Sequence, residues 1–197
     1  MNEAPAPGLR DAVHDSQQIF RVALEALSRP ARIQRLSPPL AGLPVGAAMA
    51  GLLLALADDE TRVWWQEPAP RRTQWLRFHA GARNAAEASE ATFAVVTHAA
   101  DMPELRRFSW GSAGSPEASC TVLIEVPSLR TGAPVQAHGP GIDGRAELCV
   151  AGLPEGFWAE WMESHAAFPL GVDVFFTCGD ELLGLPRTTR IGRLQEV

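Results

Sequence analysis

The pattern of apolar residues predicts three helices. Between Asp11 and Ser28, the side chains of Phe20, Leu24 and Leu27 recur at helical spacing, which predicts a helix. Arg29-Pro30 ends this helix, because a residue that precedes proline is pushed out of the helical region. The other two predicted helices are the apolar run Gly46–Ala57 and the segment Pro154–Ala166.

A strand pattern dominates the remainder of the chain, most of all its C-terminal half. Short β-branched and apolar runs, bounded by turn-forming residues, predict strands, and Gly179-Asp180 between the last two predicts a tight hairpin. The predicted strands are Arg32–Leu36, Thr61–Trp65, Ala91–Thr97, Cys120–Val126, Ala146–Val150, Val172–Cys178 and Glu181–Leu185. Thr73–His79 is predicted to be a short helix and Gly111–Pro116 a Gly/Ser loop.

This order of elements predicts the fold class. Helices and strands alternate early and strands cluster late, which is typical of an α/β fold with a mixed sheet, parallel in part and antiparallel toward the C-terminal half. A length of 197 residues suits one domain. Residues 1–10 carry two prolines and a glycine. We therefore expect them to form a flexible tail, followed by a single α/β domain over residues 11–197.

Composition excludes several chemistries. All 17 cationic residues are arginine, so no lysine is available for a Schiff base or for a Walker-type phosphate contact. The 23 acidic residues give a formal net charge of −6, which argues against general binding to nucleic acid. The three cysteines, at positions 120, 149 and 178, match no disulfide or metal spacing and predict buried thiols in a reducing cytoplasm.

The chain offers no strong targeting or membrane signal. The first ten residues include Glu3 and lack the apolar core of a signal peptide. The apolar run Val45–Ala57 is 13 residues long, which is too short to cross a bilayer and suits a buried helix. We therefore expect a cytoplasmic protein with no membrane contact.

The segment Gly139-Pro-Gly141-Ile-Asp-Gly144 matches the spacing of a dinucleotide-binding loop, but its context does not. Such a loop needs a helix directly after it, whereas Arg145–Val150 alternates like a strand, and Pro140 removes an amide donor. Two interpretations stay open. The segment is either a glycine-shaped bend between strands or a small anion nest.

The segment Pro186-Arg187-Thr188-Thr189-Arg190 is the second candidate. Two guanidinium groups and two hydroxyls in four residues suit a phosphate, because arginine binds phosphate oxygens through two parallel hydrogen bonds. The alternative is a solvated segment, or arginines paired to acidic residues of this or a partner chain.

The five histidines show no metal-ligand spacing, and we expect neither a metal nor a cofactor. His79 and His138 are the better candidates for a functional histidine, although each is more often structural. No serine is accompanied by an evident base, and no catalytic constellation emerges from the residues alone.

An ordered set of short motifs resembles the PhnH family of the bacterial carbon–phosphorus lyase system. The resemblance runs from about residue 15 to residue 190. The motifs are Phe20–Pro30, Phe78–Gly81, Phe108–Gly111 with Pro116-Glu117, Gly139–Ile142, Phe168–Asp173 and Leu185–Thr189. The sequence departs from the family at Ala31, where much of the family has glycine, so the turn there is expected to differ.

The resemblance implies both a fold and a role. The family fold is similar to the large domain of pyridoxal-phosphate-dependent transferases, a three-layer α/β/α arrangement with a mixed sheet, but lacks the cofactor. The lack of lysine agrees with that implication. The resemblance also implies a homodimer in isolation and a core complex with PhnG, PhnI and PhnJ, which forms and processes ribose 1-phosphonate 5-triphosphate. It implies no catalytic activity of the isolated subunit, so whether this chain is itself an enzyme stays open.

Three hypotheses follow from residues and resemblance together. The first is a subunit of the phosphonate-degrading complex, in which any phosphate contact falls to Arg187, Thr188 and Thr189 with Gly139 and Gly141 beside them. The second is a free-standing enzyme or binding protein for a phosphorylated small molecule. The third is a pure interaction module. Its candidate aromatic anchors are Trp64, Trp65, Trp158 and Trp161.

Overall fold

The computed structural model describes residues 6–36 and 43–192. Four α-helices lie in these ranges: α1 (Ala12–Ser28), α2 (Ala47–Leu56), α3 (Pro70–Ala80) and α4 (Phe157–Ala166). The described strands are β1 (Gln34–Arg35), β2 (Arg62–Trp65), β3 (Arg83–Asn84), β4 (Phe93–Val96), β5 (Trp110–Ser112), β6 (Ser115–Ser119), β7 (Thr121–Glu125), β8 (Val135–His138), β9 (Ala146–Leu148), β10 (Asp173–Cys178), β11 (Glu181–Leu185) and β12 (Arg190–Gly192).

A seven-stranded mixed sheet forms the centre, in the order β1-β11-β10-β7-β4-β2-β3. It is parallel from β3 through β2, β4 and β7 to β10, and antiparallel from β10 through β11 to β1. The predicted mixed sheet is therefore confirmed, with its antiparallel part at the C-terminal end. The predicted hairpin is also confirmed, because Cys178 pairs with Glu181 and Gly179 turns between them at φ +62°.

Helices pack on both faces of the sheet. Successive residues of a strand point to opposite sides, so neighbouring residues of β10 belong to different layers of the core. Phe175 of β10 packs in a cluster with Trp75 and other residues of α1, α2 and α3. Its neighbour Phe176 packs in a second cluster with Phe157 and Trp161 of α4. The α4 side also carries the small sheet β12-β8-β9. The predicted α/β class is confirmed, and the second outer layer is built from strands as well as from a helix.

Helix α1 packs on the sheet through small side chains. Its buried residues are Ile19, Ala23 and Ala26, whereas Phe20 and Leu24, which mark the helical period in the sequence, are about half exposed. The approach is close, since a Cβ added at Gly184 of β11 would lie 2.6 Å from the Ala26 backbone. The helical period is thus predicted correctly, but the buried face is set by alanines that let the helix approach the sheet.

The structure differs from the predicted elements most clearly in one loop and at the starts of two helices. The segment Gly111–Pro116 is not a loop, because β5 and β6 pair there as an antiparallel hairpin. Its strands are polar, so they lack the apolar alternation that identifies a strand in a sequence. Helix α4 begins at Phe157 rather than Pro154, because Gly156 adopts a left-handed conformation. Helix α3 begins at Pro70, which occupies its first turn.

The N-terminal segment contacts helix α3. Of the predicted tail, residues 1–5 lie outside the described residues. The carbonyl of Pro7 accepts a hydrogen bond of 2.9 Å from Nε1 of Trp75. Nε2 of His79 lies 2.9 Å from the Ala6 carbonyl. None of the helices in the described ranges combines the length and the apolar character needed to span a bilayer.

Candidate functional site

Arg187 links three parts of the fold through one guanidinium group. Nε lies 3.2 Å from both carboxylate oxygens of Asp173, the first residue of β10, and Nη2 also contacts that carboxylate. Nη1 donates to the carbonyls of Pro116 at 2.9 Å and Pro169 at 3.4 Å, and Nη2 donates to the hydroxyl of Ser119. The Arg187 side chain is only 14% exposed. All three guanidinium nitrogens are therefore used within the protein.

Helix α4 holds the backbone of the same segment. The carbonyl of Thr189 accepts a hydrogen bond of 2.8 Å from Nε1 of the buried Trp161. One helical turn further along, Nδ1 of His165 lies 3.0 Å from the carbonyl of Arg187. The hydroxyl of Thr189 is buried and has no hydrogen-bond partner among the described residues. Residues 187–189 are thus fixed to α4 by their main chain.

The glycine bend lies directly against this segment. A Cβ added at Gly139 would lie 3.0 Å from the Thr188 carbonyl. Gly141, at φ +81°, contacts the end of α1, where an added Cβ would lie 1.9 Å from the carbonyl oxygen of Ser28. Ala31, three residues after Ser28, is the one described non-glycine residue with a positive φ, at +66°. Because the backbone leaves no space for a side chain at Gly141, glycine is required there.

The structure therefore brings four of the five predicted site residues together. Gly139 lies against Thr188 and Thr189, Gly141 follows in the same bend and contacts the end of α1, and the pairing of β8 with β12 closes the bend. The Arg187 guanidinium is instead occupied by Asp173 and its neighbours. Of the interpretations left open by the sequence, the geometry favours the structural bend and an arginine paired within the chain. The phosphate role of these residues stays a prediction.

Arg190 differs from Arg187 in being exposed. It forms no ion pair with the described part of the chain and lies opposite His138 in the pairing of β12 with β8. Directly opposed residues of an antiparallel pair share one face, with their Cβ atoms about 5 Å apart. The two side chains thus lie together beside the glycine bend.

The other histidine and tryptophan candidates divide between core and surface. His79 contacts the Ala6 carbonyl and stacks edge-on against Phe78, with ring centroids 4.9 Å apart. Trp65 and Trp161 are buried, so they cannot anchor a partner, whereas Trp64 and Trp158 are half-buried. No group of three or more potential metal ligands occurs among the residues described.

A second polar cluster, which the sequence analysis missed, lies at the carboxyl ends of the parallel strands. Oε1 of Gln66, just after β2, accepts from the amides of Thr97 and His98, just after β4. Glu67 binds Nη1 of Arg72 at 3.4 Å and Nδ1 of His98 at the same distance. Each residue except Arg72 is the first or second residue after a strand. This position was the available signal, because ligands of α/β sheets bind at that edge.

Glu125 ends β7 at the same edge and is partly buried. Its Oε2 accepts a hydrogen bond of 3.3 Å from the amide of Gly46, at the start of α2. Burial raises the pKa of the Glu125 carboxyl, while the Gly46 amide and the charges of Arg72 and His98 act in the opposite direction. This carboxyl is therefore harder to ionise than one in water.

Comparison with known proteins decides the family. The family model described as "Bacterial phosphonate metabolism protein (PhnH)" matches residues 7–192. The chain belongs to the PhnH family. All the motif segments that meet around the glycine bend and Arg187 fall inside this match, so the resemblance drawn from those motifs is confirmed.

Two curated relatives extend the PhnH assignment. The chain is 34% identical over 186 residues to "Alpha-D-ribose 1-methylphosphonate 5-triphosphate synthase subunit PhnH" of Rhizobium meliloti (strain 1021), and the match covers 93% of each protein. It is 33% identical over 177 residues to "Putative C-P lyase subunit protein HtxG" of Stutzerimonas stutzeri, covering 89% of this chain and 85% of that protein. Both relatives are subunits by name and match this chain over most of their length.

Proposed function

We propose that this chain is a subunit of a carbon–phosphorus lyase complex that degrades organic phosphonates. Its partners are the PhnG, PhnI and PhnJ subunits, which form and process ribose 1-phosphonate 5-triphosphate. One observation carries the proposal, the match over 93% of a relative that is itself named a subunit of a synthase acting at this step. The subunit works in the cytoplasm, where its three free cysteines persist as thiols, and forms a homodimer in isolation.

Within that complex, the glycine bend (residues 139–144), residues 187–189 and Asp173, which we call the motif cluster, act as a scaffold. The guanidinium of Arg187 is the group that would suit phosphate best, but its N–H donors already bind Asp173, Ser119 and two backbone carbonyls. Exchanging these partners for a ligand would leave Asp173 with one backbone amide, that of Arg187. Leaving a partly buried carboxylate without its cation is costly. We therefore assign Arg187 to holding the loops in place.

We propose that the subunit shares the architecture of the large domain of pyridoxal-phosphate-dependent transferases. A seven-stranded mixed sheet with helices on both faces is compatible with their large domain. A chain without lysine cannot form the internal aldimine of those enzymes. In this proposal the fold holds the subunit surfaces in place for assembly of the complex and does not carry out pyridoxal-phosphate chemistry.

Co-purification tests the proposal. The chain is tagged in a bacterium that grows on methylphosphonate, and the purified material is resolved by native mass spectrometry. We expect PhnG, PhnI and PhnJ to appear with the tagged chain in a stoichiometric complex. Recovery of the tagged chain alone, from cells in which those subunits are present, would contradict it.

A second function is favoured by the exposed cation beside the glycine bend. Arg190 and His138 offer a guanidinium and an imidazole from paired positions beside Gly139, and the backbone of Thr188 lies against Gly139. This group suits the phosphate of a phosphorylated small molecule. Titration with ribose 5-phosphate, followed by ³¹P NMR, tests it. Binding that Arg190→Ala abolishes supports the second function, and the lack of a shift in the wild type contradicts it.

A further inference from the structure

Residues 6–9, which we call the N-terminal arm, lie against helix α3 and are held there through two of their carbonyl groups. The Pro7 carbonyl accepts a hydrogen bond of 2.9 Å from Nε1 of Trp75. The Ala6 carbonyl lies 2.9 Å from Nε2 of His79, and because a carbonyl oxygen only accepts, Nε2 is the donor. Trp75 and His79 are four residues apart, so their rings lie on one face of α3. The helix thus presents two ring N–H groups to two consecutive carbonyls.

The sequence of the N-terminal arm keeps its carbonyls available for these donors. Proline fixes its own φ at about −65°, and the residue before a proline is pushed out of the helical region, which here is Ala6. Residues 6–9 accordingly belong to no helix or strand. An extended segment that contains proline forms no internal hydrogen bonds, so its carbonyls can accept from another element.

Gly8 shows that the two rings select which segment can lie here. A Cβ added at Gly8 would lie 2.5 Å from Nδ1 of His79, so either the imidazole or the arm would have to move. Either movement disturbs the contact between Nε2 and the Ala6 carbonyl. Leu9, the next residue, is partly buried against the cluster that contains Trp75, as is Ala6. The rings therefore fit an extended segment of the pattern small-Pro-Gly-apolar.

Few contacts hold the N-terminal arm in place. Within the described ranges, the hydrogen bonds of residues 6–9 are those with Trp75 and His79. The backbone amides of the next two residues, Arg10 and Asp11, donate to the Asp15 carboxylate and fix the start of α1. The arm can therefore leave α3 without unfolding α1, and a short tethered segment returns with an effective concentration of about 1 mM.

The N-terminal arm also leaves part of the neighbouring apolar surface uncovered. Phe78 packs edge-on against His79, with ring centroids 4.9 Å apart, and yet it is 70% exposed. Trp75 packs edge-on against the same imidazole at 6.0 Å and is buried. The two aromatic rings orient the imidazole of His79, and the exposed Phe78 offers further contact area to a longer segment on the same path.

We propose that Trp75 and His79 form a docking site for an extended small-Pro-Gly-apolar segment of another protein, and that the N-terminal arm covers this site until such a segment displaces it. The arm itself identifies the chemistry that the site accepts. The two ring N–H groups bind consecutive carbonyls, glycine lies under the imidazole, and the apolar side chain takes the place of Leu9. The docking site does not depend on which complex the chain joins.

The test uses the full-length chain and an acetylated, fluorescently labelled peptide with the sequence of residues 6–10, Ala-Pro-Gly-Leu-Arg. Fluorescence anisotropy gives the dissociation constant. The N-terminal arm leaves the wild-type site open for only a fraction of the time, which weakens the apparent affinity by that fraction. Gly8→Ala weakens the arm, so this variant should bind the peptide at least about tenfold more tightly than wild type. The matched control is Gly114→Ala, where an added Cβ meets nothing within 4 Å, and it should behave as wild type.

Two further measurements place the peptide on the two rings. The indole N–H signal of Trp75 in ¹⁵N NMR, identified by its loss in Trp75→Phe, should move in Gly8→Ala and return toward its wild-type position when the peptide is added. A peptide with alanine in place of glycine should bind Gly8→Ala at least about tenfold more weakly, because the clash with His79 applies equally to a separate segment. Circular dichroism confirms that each variant is folded.

Each contrary outcome overturns the docking site. Equal affinity of wild type and Gly8→Ala would mean that the N-terminal arm does not cover the site. No binding to Gly8→Ala, although the Trp75 signal has moved, would mean that the two rings hold only the chain's own arm. A Trp75 signal that stays at its wild-type position in Gly8→Ala would contradict the close fit of Gly8 under His79. Equal binding of the alanine-containing peptide would mean that the rings do not select the segment.

Discussion

The guanidinium of Arg187 and the carboxylate of Asp173 form an ion pair at the junction of two neighbouring strands. Nε lies 3.2 Å from each oxygen of Asp173, and the backbone amide of Arg187 donates to Oδ1 at 2.8 Å. The Asp173 carboxylate thus accepts hydrogen bonds from both the side chain and the backbone amide of Arg187. Because the same guanidinium reaches Pro116, Pro169 and Ser119, the pair fastens the β5–β6 hairpin and the loop before β10 to the central sheet.

Replacing Arg187 is expected to lower the free energy of unfolding, and a lysine at this position is expected to recover little of the loss seen with alanine. Arg187→Ala leaves a partly buried carboxylate without its cation, which should cost about 2–3 kcal/mol. Arg187→Lys keeps the charge, but one ammonium cannot reach the four partners that a planar guanidinium serves. Urea unfolding followed by circular dichroism measures both. Full recovery of stability by lysine would show that charge alone matters.

The close contact at Gly141 gives a sharper test, with a matched control nearby. Gly141→Ala places a methyl group where 1.9 Å separates it from the Ser28 carbonyl. Gly144→Ala also forces a left-handed alanine, at φ +68°, but nothing lies within 4 Å. The control should lose about 1 kcal/mol of unfolding free energy, and Gly141→Ala at least about 2 kcal/mol more. Equal losses would mean that the bend moves freely away from α1.

Replacing Ala31 by glycine is expected to stabilise the fold. Ala31 adopts φ +66°, a conformation that costs an alanine about 1 kcal/mol and glycine almost nothing. Ala31→Gly should therefore raise the unfolding free energy by up to about 1 kcal/mol. Ala159→Gly, in helix α4, is the control and should lower it by about 0.5–1 kcal/mol. Loss of stability at both positions would contradict the left-handed turn.

The sequence predicted the helices and central strands of the fold well, and the edges less well. Helix α2 and the strands around Val122 and Phe175 consist mainly of apolar residues, so any compact fold would bury them. The β5–β6 hairpin and the two-residue β3 could not be predicted, because polar edge strands form through neighbours that are distant in sequence. The buried side of α1 was equally hidden, since it depends on Gly184 meeting Ala26.

The candidate site was predicted only in part, for a similar reason. Local chemistry identified the glycine bend and the arginine–threonine segment, which the structure places in contact. It could not reveal that Asp173 lies beside Arg187, because that proximity arises from the antiparallel pairing of β10 with β11. The polar cluster around Gln66 and Glu125 was missed, although its residues follow strands whose carboxyl ends share one edge.

The partly buried carboxyl of Glu125 predicts a specific dependence of stability on pH. Its pKa is raised in the folded state from an ordinary value of 4.5, so the folded protein binds the proton more tightly than the unfolded chain. Stability contributed by this group is full below that ordinary value and falls as the pH rises through the higher, folded-state pKa.

Glu125→Gln removes this titration and keeps an oxygen that can accept from the Gly46 amide. The variant should therefore be more stable than wild type at pH 7, and the difference should shrink toward pH 4. Urea unfolding at a series of pH values checks it. A difference that grows as the pH falls would mean that the Glu125 pKa is lowered in the folded protein instead.

One paired measurement on Arg187 and Asp173 distinguishes a scaffold within a subunit from a substrate-binding site. Arg187→Ala, Asp173→Ala and the double variant are each measured for unfolding free energy and for turnover of the reconstituted complex. A scaffold predicts that the two single variants lose stability and turnover alike, and that the double variant loses little more than either. If Arg187→Ala abolishes turnover while its stability is unchanged, and Asp173→Ala remains active, then Arg187 binds the substrate and the scaffold account is wrong.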